Sequence, residues 1–416
     1  MTPLIEIVAI GTELLKGSII NTNGAEIAKA LTEAGFISLR QTILPDEKIA
    51  LKNGLMEALQ RNAIVIATGG LGPTCDDLTR QVAAEIYGST FEFNEELAED
   101  LKKRYGNASA SIADQASVPS KAILLNNPIG TAAGLVFSDE KSTLILMPGV
   151  PKEMRAMLHE QTIPFLCRKY APSAPPKNLT YHFFGLSESF VDPLLRQLEK
   201  SYPDIEFGIY PSHGVLTVSA TECHRALKRN GQLSAALDQL KERFQQNYYG
   251  ANGKKLEELI QYLFIQKGWT LATAESCTGG AIASRLTKIA GASNYFKGGV
   301  VSYSNELKES FLEVPSDVIE TFGAVSEETV KAMAEGIVRR AGVDFGLSVS
   351  GVAGPAGGTD ERPVGTVWIG IAGKDKVTST HKVRGYGNRE MIIETAVNLA
   401  LGLLLKFAER AAAGPV

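Results

Sequence analysis

A serine, a tyrosine and a lysine stand at positions 293, 303 and 308, in the stretch AGASNYFKGGVVSYSNELK. A serine hydroxyl becomes a nucleophile only beside a base. Histidine is the usual choice, but none of the chain's five histidines falls in this stretch. A lysine serves instead when burial or the positive end of a helix dipole disfavours its ammonium form. Lys308 opens the short helical pattern NELKESFLEVP, closed by Pro315. Ser293 follows a helix that stops at Gly291, and Tyr303 ends the strand-like run GVVSYS, placed to relay a proton or to orient the lysine. Spacing alone leaves the plainer alternative open: helix, strand and helix punctuated by glycine, with ordinary polar side chains. The chain has no GxSxG, which excludes the nucleophile elbow of the α/β-hydrolases.

Two further loops aim at the same region if the strands before them are parallel. ESCTGG, 275–280, offers the hydroxyls of Ser276 and Thr278 and the N–H groups of Gly279 and Gly280 to a phosphate or oxyanion. SGVAGPAGGTDERP, 350–363, with Ser350, Gly351 and Gly354, is a glycine-rich lid or cradle. Flexible turns are the competing reading of both. Cys277 has no partner histidine nearby in sequence and reads as a packing or binding residue. Should Ser293 not act, Ser276 and Cys277 are the next nucleophiles to test. Arg389, at a helix start in YGNRE, is suited to a bidentate phosphate contact or is a solvated arginine.

The N-terminal part carries a second candidate. ATGGLGPTCDDLT, 67–79, follows a buried strand and precedes a helix. Cys75 replaces the third glycine of a dinucleotide fingerprint, so a nicotinamide-dinucleotide site is rejected. Gly69, Gly70, Gly72 and Thr74 still allow close approach of an anion, and Asp76 and Asp77 are suited to a divalent metal beside it. The competing reading is a tight turn capped by its aspartates. Glu13 and Lys16 in GTELLKG, with Asn21 at the next helix start, converge on the same crevice of an open α/β sheet.

The elements that must position these groups alternate strand and helix, as in LIEIVAI, TNGAEIAKALTEAG, AIVIATGG and LILMPGVPKEM. That order predicts an α/β fold with a parallel sheet covered on both faces. APSAPPK, 171–177, and YYGANGKK near 250 divide the chain into domains at 1–170, 171–250 and 251–416, the middle one a small α/β domain. The chain has 416 residues, 44% hydrophobic and 21% charged, with a net charge of −4. That balance gives ample core and argues against a nucleic-acid partner, which needs a basic face. No secretory signal or membrane span is expected, since LALGLLL stops at Lys406, and the scattered Cys75, Cys167, Cys223 and Cys277 fit a reducing cytoplasm. Glycine-rich, lid-like loops are compatible with sites shared between subunits, and a homodimer is expected.

With these motifs in order, the chain resembles the CinA (competence/damage-inducible) family over essentially its whole length. GTELLKG, TGGLGPTCDDLT, NPIGTAAG and MPGVPKEM are similar to its N-terminal domain, which resembles molybdopterin-binding proteins and implies a three-layer fold. AESCTGG, VVSYSNELK, GAVSEETV and SGVAGPAGGTDERPVGTVW are similar to its C-terminal domain. The resemblance implies a nicotinamide-mononucleotide deamidase there, with no metal or other cofactor. It implies a Ser/Lys arrangement assisted by a tyrosine, roles that fall on Ser293, Lys308 and Tyr303. Ser276, Gly279 and Gly280 match substrate-binding positions, and Ser350 a position near the amide. In some members it further implies a metal-dependent ADP-ribose pyrophosphatase at the N-terminal domain. A non-catalytic nucleotide- or pterin-binding adaptor, in competence or molybdenum-cofactor metabolism, is the alternative. One departure stands out: at Thr131-Ala132-Ala133-Gly134 the family usually has prolines, which leaves the rigidity of that loop open.

Overall fold

In the computed structural model, residues 3–72, 77–106, 111–170, 172, 177–222, 232–373 and 376–414 are described. The chain forms two compact units, Met1–Pro176 and Lys177–Val416.

The first unit is built on β1 (Leu4–Ile10), α1 (Thr22–Glu33), β2 (Ile37–Leu44), α2 (Lys48–Arg61), β3 (Ile64–Thr68), α3 (Thr79–Tyr87), β4 (Ile123–Leu125), β5 (Gly134–Ser138), β6 (Thr143–Met147) and α4 (Pro151–Met157). The strand order is β2-β1-β3-β6-β5-β4. Strand residues alternate between faces. Ile64 and Ile66 of β3 therefore pack with Ile27 and Leu31 of α1, while Val65 and Ala67 pack with Leu51 and Leu55 of α2. Helices on both faces give the three layers. The sheet is parallel from β2 to β6 but antiparallel at β6/β5 and β5/β4, where an all-parallel sheet was expected. The links between these strands are too short for the crossover that parallel pairing needs.

The second unit contains two sheets. β7 (Asn178–Phe184), α5 (Glu188–Ser201), β8 (Ile205–Ser212), β9 (Val215–Glu222), α6 (Gln232–Arg243) and β10 (Tyr248–Ala251) form an antiparallel sheet of order β8-β9-β7-β10 with its helices. Next along the chain are α7 (Leu256–Lys267), β11 (Leu271–Glu275), α8 (Ala281–Thr287), β12 (Phe296–Val301), α9 (Asn305–Leu312), α10 (Glu327–Ala341), β13 (Phe345–Gly351), β14 (Thr366–Gly373), β15 (Lys376–Arg384) and α11 (Arg389–Ala413). Their sheet runs β12-β11-β13-β14-β15, parallel across the first three strands and antiparallel beyond.

The expected boundary near residue 250 does not separate compact units. Phe184 at the end of β7 belongs to the same buried cluster as Leu401 and Leu404 of α11, and a Cβ at Gly402 would collide with the Phe184 ring. α11 is also longer than LALGLLL suggested. By length and composition it would cross a membrane, but 61% of its most apolar 18-residue window is buried in this core. Each fully buried leucine there contributes roughly 1.5–3 kcal/mol, enough to explain an apolar helix without a bilayer.

Candidate active site

Parallel pairing brings the carboxyl ends of β11, β12 and β13 together. The Ser276 N–H donates to Val349 O at 2.9 Å, and the Ser302 N–H donates to Glu275 O at 2.8 Å. The chain then turns into α9, capped by Ser304, whose Oγ accepts from the Leu307 N–H at 3.4 Å. Lys308, on the inner face of α9, is only 1% exposed. Its Nζ lies 2.9 Å from Ser302 O, 3.4 Å from Ser304 O and 3.3 Å from Ser276 Oγ. It makes no ion pair among the described residues. Burial pushes its pKa below the usual lysine range, against smaller opposing effects of Cys277 and Glu306. A neutral amine has two N–H donors and one lone pair. In that form two carbonyls would take the donors and the lone pair would face the Ser276 hydroxyl, the arrangement that a serine nucleophile and its base require.

Ser293 is not part of this group. It is exposed, in the single turn Ala292–Asn294 before β12, and β12 starts beside the beginning of β11. The six residues of β12 separate it from Ser302, a strand length of roughly 20 Å. Ser293 therefore sits at the amino end of the sheet and Lys308 at the carboxyl end, so the Ser293–Lys308 pairing is corrected to Ser276–Lys308. Tyr303 is also placed differently from expectation. It is 61% exposed, and its hydroxyl accepts from Arg389 Nη2 at 3.0 Å rather than meeting Lys308. Arg389 Nη1 donates to Gly354 O at 2.8 Å, so this arginine ties the glycine-rich loop to Tyr303.

The SCTGG turn is held from inside. Glu275, 1% exposed, accepts from the N–H groups of Gly280 (3.0 Å), Ile282 (3.0 Å) and Ala283 (2.8 Å), answering the free donors at the start of α8. The Gly279 N–H donates to Ser276 O at 3.1 Å. The N–H groups of Gly279 and Gly280, expected to hold phosphate or oxyanion, are thus spent on the turn itself. Their positive φ values, 58° and 94°, explain the glycines. The buried hydroxyl of Thr278 has no partner among the described residues, nor has that of Ser302. Ser350 donates to Ala324 O at 2.6 Å, so its hydroxyl hydrogen is already engaged. Gly351 lies where a Cβ would press on Thr366 O at 2.8 Å, a packing reason for its lack of side chain. A cleft of about 500 Å3 lined by Ala324, Val352, Gly357, Thr359 and Arg362 opens beside Ser350. Burial pushes the Cys277 thiol up to about 12, which makes it a packing residue.

In the first unit, a pocket of about 180 Å3 lies at the carboxyl ends of β1 and β3, with Glu13, Asn21, Asn23, Thr68 and Gly149 in its wall. Asn21 is the N-cap of α1, accepting from the Gly24 N–H at 2.9 Å, so its carboxamide oxygen is committed to the helix. Lys16 is exposed and does not line the pocket. Gly69 donates its N–H to Met147 O at 3.0 Å, and Gly70 accepts from the Thr79 N–H at 3.1 Å. These glycines serve close packing: a Cβ on Gly69 would run into Ile10 O, and one on Gly70 into Thr79 Oγ1. A Cβ on Gly72 would lie 2.5 Å from Asp77 Oδ2. Thr74 and Asp76 lie outside the described residues. Among the described residues no three His, Cys, Asp or Glu side chains gather. The sequence pattern gave no sign of Asn23, 8% exposed, which donates to Thr68 Oγ1 and Gly149 O while its own Oδ1 has no partner among the described residues.

Residues 6–168 match the family model of a probable molybdopterin binding domain, and residues 253–408 match the CinA C-terminal domain. A chain from Halothermothrix orenii named for competence-damage induction is 38% identical over 389 residues, 92% of this chain and 94% of its own length. The chain belongs to the CinA family. A CinA-like protein of Kosmotoga olearia is 36% identical over 402 residues, 95% of this chain and 97% of its own. A solved structure of a competence/damage inducible protein from Agrobacterium tumefaciens is 41% identical, covering 36% of this chain and 93% of that one, with a TM-score of 0.35. In this CinA-family chain the alanine departure at 131–134 costs no anchoring. Asn127 accepts from the N–H groups of Ile129 and Gly130 and donates to Ala132 O at 2.9 Å, fastening the loop by hydrogen bonds. The antiparallel sheet of β7–β10 lies in the interval between the two family matches.

Proposed function

We propose that the second unit is an amidohydrolase that converts nicotinamide mononucleotide to nicotinate mononucleotide and ammonia. The observation that carries the chemistry is the buried Lys308 Nζ facing Ser276 Oγ while two backbone carbonyls occupy its N–H groups. Family membership motivates the substrate.

Ser276 Oγ attacks the carboxamide carbon as its proton passes to Lys308 Nζ. The Thr278 hydroxyl, unpartnered among the described residues, stabilises the tetrahedral oxyanion. Lys308 returns the proton to the leaving nitrogen, and ammonia departs from an acyl-serine. Water then gives a proton to Lys308 and attacks the ester; as the Ser276 Oγ–carbon bond breaks, Lys308 passes that proton to Ser276 Oγ, which regenerates both the serine and the neutral amine. Arg389 and Tyr303, linked at 3.0 Å, face the nucleotide, with spare guanidinium donors for its phosphate.

Ammonia release without added metal tests this reading. Ser276→Ala and Lys308→Ala abolish it, whereas Ser293→Ala leaves kcat/KM within about twofold, because a whole strand length separates it from the base. A dead Ser293→Ala with active Ser276→Ala overturns the assignment.

A second reading concerns the first unit. The orphaned Asn23 Oδ1 in the pocket at the carboxyl ends of β1 and β3 favours a small ligand bearing a donor group. ADP-ribose, cleaved at its pyrophosphate, is the proposed substrate. AMP release with a divalent cation, lost in both Asp77→Ala and Asn23→Ala, supports it. Tight binding without turnover at either site favours the adaptor instead.

A further inference from the structure

Between the β7–β10 sheet and the start of the C-terminal elements lies a cleft of about 450 Å3 that neither proposed reaction uses. Lys254 and Lys255 at the entry to α7, and Lys288 at the end of α8, stand around it. All three are exposed and make no ion pair among the described residues. A fourth cation there, Arg285, is already answered by Glu257 at 3.2 Å and Glu394 at 3.4 Å. Arg285 with its two carboxylates carries a net charge of −1, so the three lysines leave the group around the cleft at a net +2. Two of them sit at the positive end of the twelve-residue α7, where a lysine works against the helix dipole. Helix stability does not account for them.

The inner wall adds directed donors. His182, 8% exposed, accepts from the Gly253 N–H at Nε2 (2.9 Å), so its proton is on Nδ1 and donates to Thr217 Oγ1 at 2.9 Å. The Thr217 hydroxyl hydrogen is then left for the cleft it lines. Burial lowers the His182 pKa, so the ring stays neutral and stacks on Tyr249 with centroids 5.7 Å apart. Burial also raises the Tyr249 pKa to about 12, which keeps its hydroxyl a donor. A rim of free ammonium groups over hydroxyl donors suits a phosphate group.

We propose that this cleft binds a phosphate-bearing anion, with Lys254, Lys255 and Lys288 supplying the charge and Thr217 a hydroxyl donor. The phosphate belongs to a nucleotide or is free inorganic phosphate. Lys288 comes directly after α8, and the turn before α8 carries Ser276, so the bound anion touches the C-terminal end of the helix that the nucleophile's turn begins.

Equilibrium dialysis of the full chain at low salt, with labelled orthophosphate and separately with labelled AMP, tests this. Wild type and Ser276→Ala are expected to bind one equivalent more than the triple variant Lys254→Ala, Lys255→Ala, Lys288→Ala. The single charge reversal Lys288→Glu is expected to weaken that equivalent at least about tenfold, and added salt to weaken it further. Binding of AMP but not orthophosphate makes the ligand a nucleotide, and the reverse makes it free phosphate. Equal stoichiometry in wild type and a triple variant with unchanged circular dichroism, for both probes, overturns the proposal. So does the absence of binding of either probe to wild type at millimolar concentration.

Discussion

Replacing Lys308 by methionine separates two consequences of burying a lysine. The first is catalytic. Removing a positioned general base costs about 100- to 10,000-fold in rate, and the larger figure is expected because the same group also protonates the departing ammonia. The second is a pH-dependent change in stability. Lys308 titrates below its ordinary value because it is buried. Between the folded pKa and the unfolded value of about 10.4, the unfolded chain holds a proton that the folded chain does not, so folding is favoured as pH rises across that window. Below the folded pKa the penalty is complete, and each unit of depression contributes about 1.4 kcal/mol. Methionine keeps the apolar stem and has no such penalty. It also strands Ser302 O and Ser304 O, a roughly pH-independent loss of about 1 kcal/mol for each hydrogen bond. The decisive quantity is therefore the change with pH. Urea unfolding at pH 7 and pH 10 is expected to show wild type gaining stability relative to Lys308→Met at the higher pH. In the same direction, wild-type kcat/KM falls as pH drops through the lowered lysine pKa. An unchanged stability difference at the two pH values, together with a flat rate profile down to pH 5, refutes a neutral catalytic lysine.

The same geometry gives three further expected outcomes. Glu275→Gln replaces an acceptor-only group serving three N–H donors, so α8 loses about 1–3 kcal/mol of anchoring and the displaced Ser276 costs about 10- to 100-fold in kcat/KM, read by ammonia release and thermal melting. Tyr303→Phe lowers kcat by about tenfold or less and affects KM more, since the hydroxyl meets Arg389; a kcat loss near that of Lys308→Met would restore the tyrosine as proton relay. Gly402→Ala forces the Phe184 ring to move and destabilises the second unit by about 1–3 kcal/mol in urea titration, leaving KM unchanged.

The sequence by itself determined the local elements and the kinds of chemistry available. Ser326, a residue type that caps helices, stands just before the helix at 327–341, and its Oγ accepts from the Thr329 N–H at 3.2 Å. Gly342 follows that helix with φ 61°, the left-handed conformation glycine supplies at a helix stop. Lys308 was legible as a candidate base, because a lysine at a helix start in a histidine-poor stretch needs only burial to become one, and it is 1% exposed. Tertiary structure decided which serine that lysine meets. Ser293 and Lys308 are 15 positions apart and Ser276 and Lys308 are 32, so proximity in sequence favoured the wrong pair. Parallel pairing of β11 with β12 reverses the order, because it gathers the loops after both strands at one end of the sheet and leaves the turn before β12 at the other. The same dependence hid the roles of Glu275, Asn23 and Lys288. A buried carboxylate, an orphaned carboxamide and an uncompensated ammonium are defined by their surroundings, and those neighbours come from distant parts of the chain.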